Sequence, residues 1–354
     1  MSASRRILVI RPDRIGDVTL ATPVIRALRK SFPDAYIGAM VRPATETILR
    51  HNPHLDAILI DDWEREHAGF SGFRDRLRML REHRFDTALM LLPKERHAWM
   101  TLLAGIRTRL GVGTKLYQLL TFTRGISRHK YIPLRHEADY CLDLARAVGA
   151  EEDGLGVEVF LLQEEREAAQ KLLAVIGRDP ARPLLSVHPE SGRSSPNWDG
   201  PTYRDFVRAC AEALPDLQVM VQITRSNTAM LELFEPLRSD QILLPDDGGD
   251  LRMVMGLIAE ADAALASSTG PMHLAAGLGV PTASVFCPLP ACHPTLWGPQ
   301  GNRNEILMPP DEYCRTRCPG DPHICTMDGA IAFGDMISAI DRLISQSSSR
   351  PSRP

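Results

Sequence analysis

Apolar positions along the chain repeat in two rhythms. Short runs such as Ile7-Leu8-Val9-Ile10, Ala57-Ile58-Leu59-Ile60 and Leu184-Leu185-Ser186-Val187 read as buried strands. Between such runs the spacing switches to that of a helix face, as in Val18, Ala21, Ile25 and Leu28. In the first half the pattern predicts strands over residues 7–10, 36–41, 57–60, 85–92 and near 109–112. Helices are predicted after residue 17 and over 43–50, 73–83, 96–103 and 136–148. In the second half the strands fall at 183–187, 218–223, 241–244, 263–266 and 282–286. The helices there fall at 164–176, 201–213, 228–237, 251–261, 269–278 and 330–344. Strands alternating with helices predict an α/β protein made of two doubly wound parallel sheets in tandem. The expected domains are 1–155 and 156–329, followed by a helix over 330–346. A tail of Ser, Arg and Pro over 347–354 cannot bury a core and is expected to be disordered. Residues 113–135 break the rhythm and read as a long loop. It carries Lys115, Arg124, Arg128, His129, Lys130 and Arg135, and is either solvated or suited to gripping an anion.

Length and composition narrow the classes. A chain of 354 residues predicts about two domains. A net charge of −3 gives no electrostatic case for nucleic acid as partner. The cations are nearly all arginine, the side chain that suits carboxylate and phosphate. No apolar run is long enough to span a membrane, and the segment before the first strand is too short for a signal peptide. Of seven cysteines, Cys141, Cys210, Cys287 and Cys292 are scattered, as in a reduced, cytoplasmic protein. Cys314, Cys318, His323 and Cys325 are spaced so that they could hold a structural zinc. A loop of reduced or locally paired thiols reads equally simply. Neither a Gly-x-Gly-x-x-Gly turn nor a phosphate-binding P-loop occurs, which disfavours dinucleotide dehydrogenases and P-loop enzymes.

Two strand-to-helix junctions carry the candidate chemistry. The first is Arg11-Pro12-Asp13-Arg14-Ile15-Gly16-Asp17-Val18, after the first strand. Gly16 gives the backbone room there. Asp17 lands at a helix start, either as a cap for free N–H groups or as a carboxylate facing a ligand. The second is Ser267-Ser268-Thr269-Gly270-Pro271-Met272-His273, after a strand in the second half. Pro271 suits the first helical turn, and the free N–H groups and dipole of that turn make an anion site suited to phosphate or diphosphate.

Taken together, Arg-x-Asp-Arg-Ile-Gly-Asp-Val followed by Thr22-Pro23, and Thr269-Gly270-Pro271-Met272-His273-Leu274-Ala275-Ala276, resemble glycosyltransferase family 9. This is the lipopolysaccharide heptosyltransferase family. Trp297-Gly298-Pro299 and the late Cys-x-Met-Asp-Gly run agree with it. The resemblance spans residues 5 to about 345. It implies a GT-B fold of two Rossmann-like domains across a cleft, with acceptor on the first and sugar nucleotide on the second. It implies an inverting, metal-independent transfer, usually from an ADP-activated heptose, with no cofactor beyond the nucleotide-sugar co-substrate. Asp17 takes the place of the family's catalytic base. Arg11, Arg14, Gly16 and Arg42 fall on the acceptor side, where the arginines either bind carboxylates and phosphates or are simply solvated. Ser268, Thr269, Gly270, Pro271 and His273 fall on the donor side, with His273 read as a brace for the loop.

The sequence departs from the family at three places. Ser268 stands where the family has Asp. No Lys precedes Trp198, so Arg193, with Ser191, Ser194 and Ser195, is the candidate replacement at the diphosphate. Thr224-Arg225-Ser226-Asn227 offers no acid for the ribose. The expected partners are a nucleotide sugar and a lipid-linked or other glycan acceptor, met on the cytoplasmic face of a membrane by peripheral contact. The alternatives are another donor sugar, for capsule, O-antigen or protein glycan, an inactive sugar-nucleotide-binding protein, and a sugar-nucleotide epimerase.

Overall fold

The computed structural model describes residues 4–126, 132–192 and 195–347. It separates into two compact units, Met1–Phe160 and Leu161–Pro354.

The first unit is built on six parallel strands: β1 (Arg6–Ile10), β2 (Tyr36–Val41), β3 (Ala57–Ile60), β4 (Thr87–Met90), β5 (Thr108–Val112) and β6 (Arg124–Ile126). Their order across the sheet is β3-β2-β1-β4-β5-β6. The central strand is buried on both faces, with Ile7, Leu8, Val9 and Ile10 all but inaccessible. That is why it reads as an unbroken apolar run rather than an alternating one. The strand order reverses between β1 and β4, which leaves a switch point at their carboxyl ends, where open α/β sheets place their ligands.

The second unit repeats the plan with β7 (Leu184–His188), β8 (Gln218–Val221), β9 (Ile242–Leu243), β10 (Ala263–Ser267), β11 (Thr282–Val285) and β12 (Asn304–Leu307). The order β12-β11-β10-β7-β8-β9 is the same topology read from the other edge, with its switch point between β7 and β10. Both predicted motif loops therefore leave the sheet at a switch point.

Three differences from the sequence reading stand out. The long basic loop contains a helix, Leu116–Leu120, and strand β6, so the βα rhythm continues through it. Arg128, His129 and Lys130 of that loop lie outside the described residues, as does the tail beyond Ser347. The first unit runs to Phe160 rather than to residue 155. The Arg26 guanidinium donates to Asp153 Oδ1 at 2.9 Å, to the Gly156 carbonyl at 2.7 Å and to Glu158 Oε2 at 3.0 Å. The last helix, Phe333–Ser347, packs on β11, β12 and the helix Gly200–Ala213, within the second unit's core rather than beyond it.

Candidate active site

In the first unit the loop after β1 turns into a short helix, Ile15–Thr19, and then into Thr22–Ser31, which opens with Pro23 in its first turn. Arg14 is the N-cap residue, and no side chain caps this helix. Asp17 therefore is not the cap. It sits in the first turn with its side chain 21% exposed, and its Oδ1 accepts from Arg11 Nη2 at 2.7 Å.

Arg11 organises the loop. Its side chain is only 4% exposed, and its guanidinium faces three carboxylates. Nε lies 3.0 Å from Asp13 Oδ2, and Nη2 is shared between Asp17 Oδ1 and Glu137 Oε1, the latter at 3.1 Å. Nη1 points to the Leu91 carbonyl at the end of β4 and to Cys141 Sγ. Burial works against its charge, but Cys141, Asp17 and Asp13 outweigh it and hold the guanidinium firmly protonated. The sequence placed Arg11 among acceptor contacts. The structure places it inside the protein, as the group that orients Asp17.

Burial pushes the Asp13 carboxyl above the usual carboxylate range. Arg11 pulls it back, and the nearby Asp17 charge adds to the rise. Asp17 is thus the more exposed member of a carboxylate pair clamped by one buried cation. Asp13, Glu137 and Cys141 were not singled out by the sequence reading. The last two lie 126 and 130 positions from Arg11 and come from the helix Glu137–Arg146, which no local pattern links to the loop.

The exposed cations stand on the same carboxyl edge of the sheet. Arg14 is exposed. Arg42, at the end of β2, pairs with Glu64 and lies 5.0 Å over the Trp63 ring. Lys94, just past the end of β4, covers the same indole at 5.1 Å. Lys94 and Trp63 are further residues that the sequence reading passed over. Beneath Trp63, the fully buried Asp61 accepts from Arg96 Nε at 2.9 Å and lies 3.0 Å from His97 Nε2. Burial opposes the Asp61 charge, but these partners hold its carboxyl below the usual range.

In the second unit the β10 junction has the predicted form. Thr269 is the N-cap residue of the helix Gly270–Gly277, with Pro271 in its first turn. The Thr269 side chain does not cap the helix; its hydroxyl turns back to the Ser267 carbonyl at 3.3 Å. The first-turn N–H groups are therefore left to whatever anion meets them. Ser195 Oγ donates to the Ser268 carbonyl at 3.0 Å, which brings the β7 and β10 loops together. Ser191 is half-buried in the β7 loop, whereas Arg193 and Ser194 lie outside the described residues. His273 is buried within the helix. Trp198 is a core residue, packed edge-on against Tyr203 and Phe333.

Two further residues complete this edge. Glu190 accepts from the Thr224 N–H at 2.6 Å and from Asn227 Nδ2. An acid therefore does reach the loop after β8, supplied from the loop after β7. His188, at the end of β7, is buried, and burial pushes its imidazole down to about 3. It is neutral at physiological pH. A buried histidine with a depressed pKa contributes stability that is present above its unfolded value and lost as pH falls toward the folded one. Acid should therefore destabilise the second unit by up to about 1.4 kcal/mol per pH unit between about 6.5 and about 3. A His188→Asn variant should flatten that slope in melts recorded across this window, and an unchanged slope would refute the assignment.

No group of three or more His, Cys, Asp and Glu side chains able to hold a metal occurs among the described residues. Cys314, Cys318, His323 and Cys325 are thus not gathered as zinc ligands. Cys325 instead joins the core of the second unit, where burial raises its thiol pKa, and its carbonyl accepts from the Asn197 N–H at 3.4 Å.

Comparison with known proteins adds an independent line. A family model described as glycosyltransferase family 9 (heptosyltransferase) matches residues 74–319. The chain is 24% identical over 299 residues to lipopolysaccharide heptosyltransferase 2 of Salmonella typhimurium, across 80% of this chain and 83% of that protein. The crystal structure of a family 9 glycosyl transferase from Veillonella parvula aligns with a TM-score of 0.82 at 19% identity, over 97% of this chain and 98% of that one. The Escherichia coli ADP-heptose lipopolysaccharide heptosyltransferase II aligns with a TM-score of 0.75, again at 19% identity, over 97% and 100%. The shared fold is the two-domain, Rossmann-like GT-B fold.

Proposed function

The chain belongs to glycosyltransferase family 9, and from that premise we propose that it is an inverting, metal-independent transferase moving a heptose or related sugar from a nucleotide diphosphate, ADP-heptose first among candidates, to a lipopolysaccharide-type glycan acceptor. The observation that carries this reading is Asp17, a partly exposed carboxylate fixed by a buried arginine at the first switch point. Asp17 takes the proton of the acceptor hydroxyl as its oxygen bonds to the anomeric carbon, and the bond from that carbon to the diphosphate oxygen breaks on the opposite face. The departing diphosphate carries the displaced electron pair. The uncapped first turn of Gly270–Gly277 supplies N–H groups to that charge, as an oxyanion site does. Exposed Arg14, with Arg42 and Lys94 beside Trp63, suits an acceptor rich in carboxylate or phosphate. We place the protein in the cytoplasm, in peripheral contact with the inner membrane face. No helix among the described residues is long and apolar enough to cross a membrane.

Thermal-shift screening with ADP-, GDP- and UDP-sugars tests the donor side. The reading requires a rise in melting temperature with a nucleotide sugar, largest for ADP-heptose, followed by turnover when a lipid-linked core glycan is supplied. Binding without transfer would select the inactive sugar-nucleotide-binding alternative, and no shift with any of them would remove the reading.

Glu190 fills the ribose-side position in this scheme. Glutamine there keeps one acceptor oxygen, so either the Thr224 N–H or the Asn227 amide loses its partner and the loop after β8 shifts. Nucleotide-sugar affinity, measured by calorimetry, should fall about tenfold in Glu190→Gln. Equal affinity in the two proteins would show that Glu190 does not shape the donor site.

A further inference from the structure

The helix Leu116–Leu120 is built inside out. Its buried residue is Gln118, whose Nε2 donates to the Val112 carbonyl at 3.3 Å, and the following Thr121 is also buried. Its leucines face outward: Leu116 and Leu119 are each 74% exposed, and Phe122, just beyond, is 78% exposed. Leu120 and Ile132 are exposed as well. A side chain of this size contributes about 1.5–3 kcal/mol when buried, so a helix selected only for the fold would present the opposite face to the core.

The outward arrangement is held in place. Phe122 occupies the left-handed backbone region with φ 52°, a conformation that is costly for an aromatic residue. The Arg109 side chain fixes the turn by donating to the Thr121 carbonyl at 3.0 Å and to the Phe122 carbonyl at 3.4 Å.

Charge follows the same segment. From Arg96 to His136 the sequence contains no Asp or Glu. Arg96, Arg109 and Arg135 are engaged within the protein, by Asp61, backbone carbonyls and Asp143 respectively. Lys115 and Arg124, which flank the leucines in the sequence, are exposed, as is Arg107 just before β5. Burial, and after it the Glu95 charge, raises the pKa of the Tyr117 hydroxyl on the inner side of this helix. Exposed apolar side chains flanked by exposed cations match the interface of an anionic bilayer, where the leucines enter the acyl boundary and the cations meet the headgroup phosphates.

We propose that residues 115–124, centred on Leu116, Leu119 and Phe122, are the membrane-docking surface of this protein, and that its partner is an anionic phospholipid bilayer. This deepens the functional reading above and rests on it only for its purpose. The helix follows β5 and precedes the parallel strand β6, so it starts near the carboxyl edge of the sheet and runs back along it, which brings the Phe122 carbonyl to Arg109 of β5. Strand β6 is three strands from β1, about 14 Å across the sheet.

The test uses the purified full chain in vesicle flotation, with phosphatidylethanolamine–phosphatidylglycerol vesicles compared against phosphatidylcholine vesicles. Wild-type protein should float with the anionic vesicles, more weakly at high salt, and should not float with the neutral ones. A Leu116→Ser, Leu119→Ser, Phe122→Ser triple variant and a Lys115→Glu, Arg124→Glu double variant should each bind at least about tenfold more weakly. Both should keep the wild-type melting temperature and thermal shift with ADP, because the altered side chains are exposed. Asp17→Asn should float like wild type, which separates docking from transfer. Equal flotation of the wild type and the triple variant, or no flotation with anionic vesicles, would overturn the proposal. So would self-association in sedimentation velocity that the triple variant abolishes, since the leucine face would then be a contact between two copies of the chain.

Discussion

Replacing Asp17 with Asn is expected to lower glycosyl transfer by about 10²–10⁴-fold, the range that a positioned general base supplies. The side chain keeps its size and can still accept from Arg11 Nη2 through its amide oxygen, so the fold and the loop should survive. The variant cannot take a proton from the acceptor hydroxyl. Single-turnover rates with saturating donor and acceptor should show the loss, while nucleotide-sugar affinity and melting temperature stay at wild-type values. A fall in affinity matching the fall in rate would point to a binding role, and an undiminished rate would remove Asp17 as the base. The variant also separates the active and inactive readings, because a protein without catalysis has no rate to lose.

Replacing Arg11 with Met should damage the molecule more widely. The substitution removes the guanidinium that Asp13, Asp17 and Glu137 share, and the Glu137 side chain is only 1% exposed. Breaking a buried ion pair from one side typically costs about 3–5 kcal/mol, because the charge left behind has no compensation. For a unit of this size that corresponds to a drop of about 6–20 °C in the first unit's melting temperature. The pH dependence gives a sharper check. The Asp13 carboxyl is already raised by burial, and loss of Arg11 raises it further. A carboxyl raised in the folded state favours folding below its unfolded pKa and loses that contribution as pH rises through the raised value. The variant's deficit should therefore be largest at neutral pH and shrink toward pH 4–5. Arg11→Lys should recover part of the stability but little activity, since one ammonium cannot reach three carboxylates from fixed directions. A deficit that stays constant from neutral to acidic pH would show that the carboxylates are not the cause.

Much of the architecture was legible because parallel sheets bury their central strands on both faces. β1, β7 and β10 sit in the middle of their sheets and announce themselves as apolar runs. One edge strand of each sheet does not. β6 is only Arg124, Gly125 and Ile126, and β12 begins with Asn304 and Glu305; neither contains a run to notice. The same divide holds at the candidate site. Asp17 and Thr269-Gly270 stand inside contiguous motifs next to a strand end, so spacing marks them as candidates and the resemblance to glycosyltransferase family 9 supplies their expected roles. Glu137 reaches Arg11 from a helix in another part of the chain, and Glu190 acts on a loop 34 positions away. Such partners depend on topology, which brings distant segments to one sheet edge. The leucine face of Leu116–Leu120 was hidden for a related reason. Its surroundings read as a long basic loop, and the burial of Gln118 beside exposed leucines shows a helix turned outward.

The packing of the last helix bears on how the protein is made. Met327, Ile331, Met336, Ile340 and Leu343 belong to the same core cluster as Trp198 and Tyr203, and Phe333 closes on the Trp198 ring. During synthesis the first unit can close while the second is still being translated, since all six of its strands precede Phe160. The second unit has no such freedom. Its β7 loop finds its final support only after the helix Phe333–Ser347 has left the ribosome, about 10–40 s after Phe160 at ordinary elongation rates. Throughout that interval the nascent chain carries a finished first unit, already bearing its outward leucines, ahead of an unfinished second one. Premature termination within the last helix should therefore yield a chain with an intact first sheet and an uncompleted second core, the form of the protein most exposed to proteolysis.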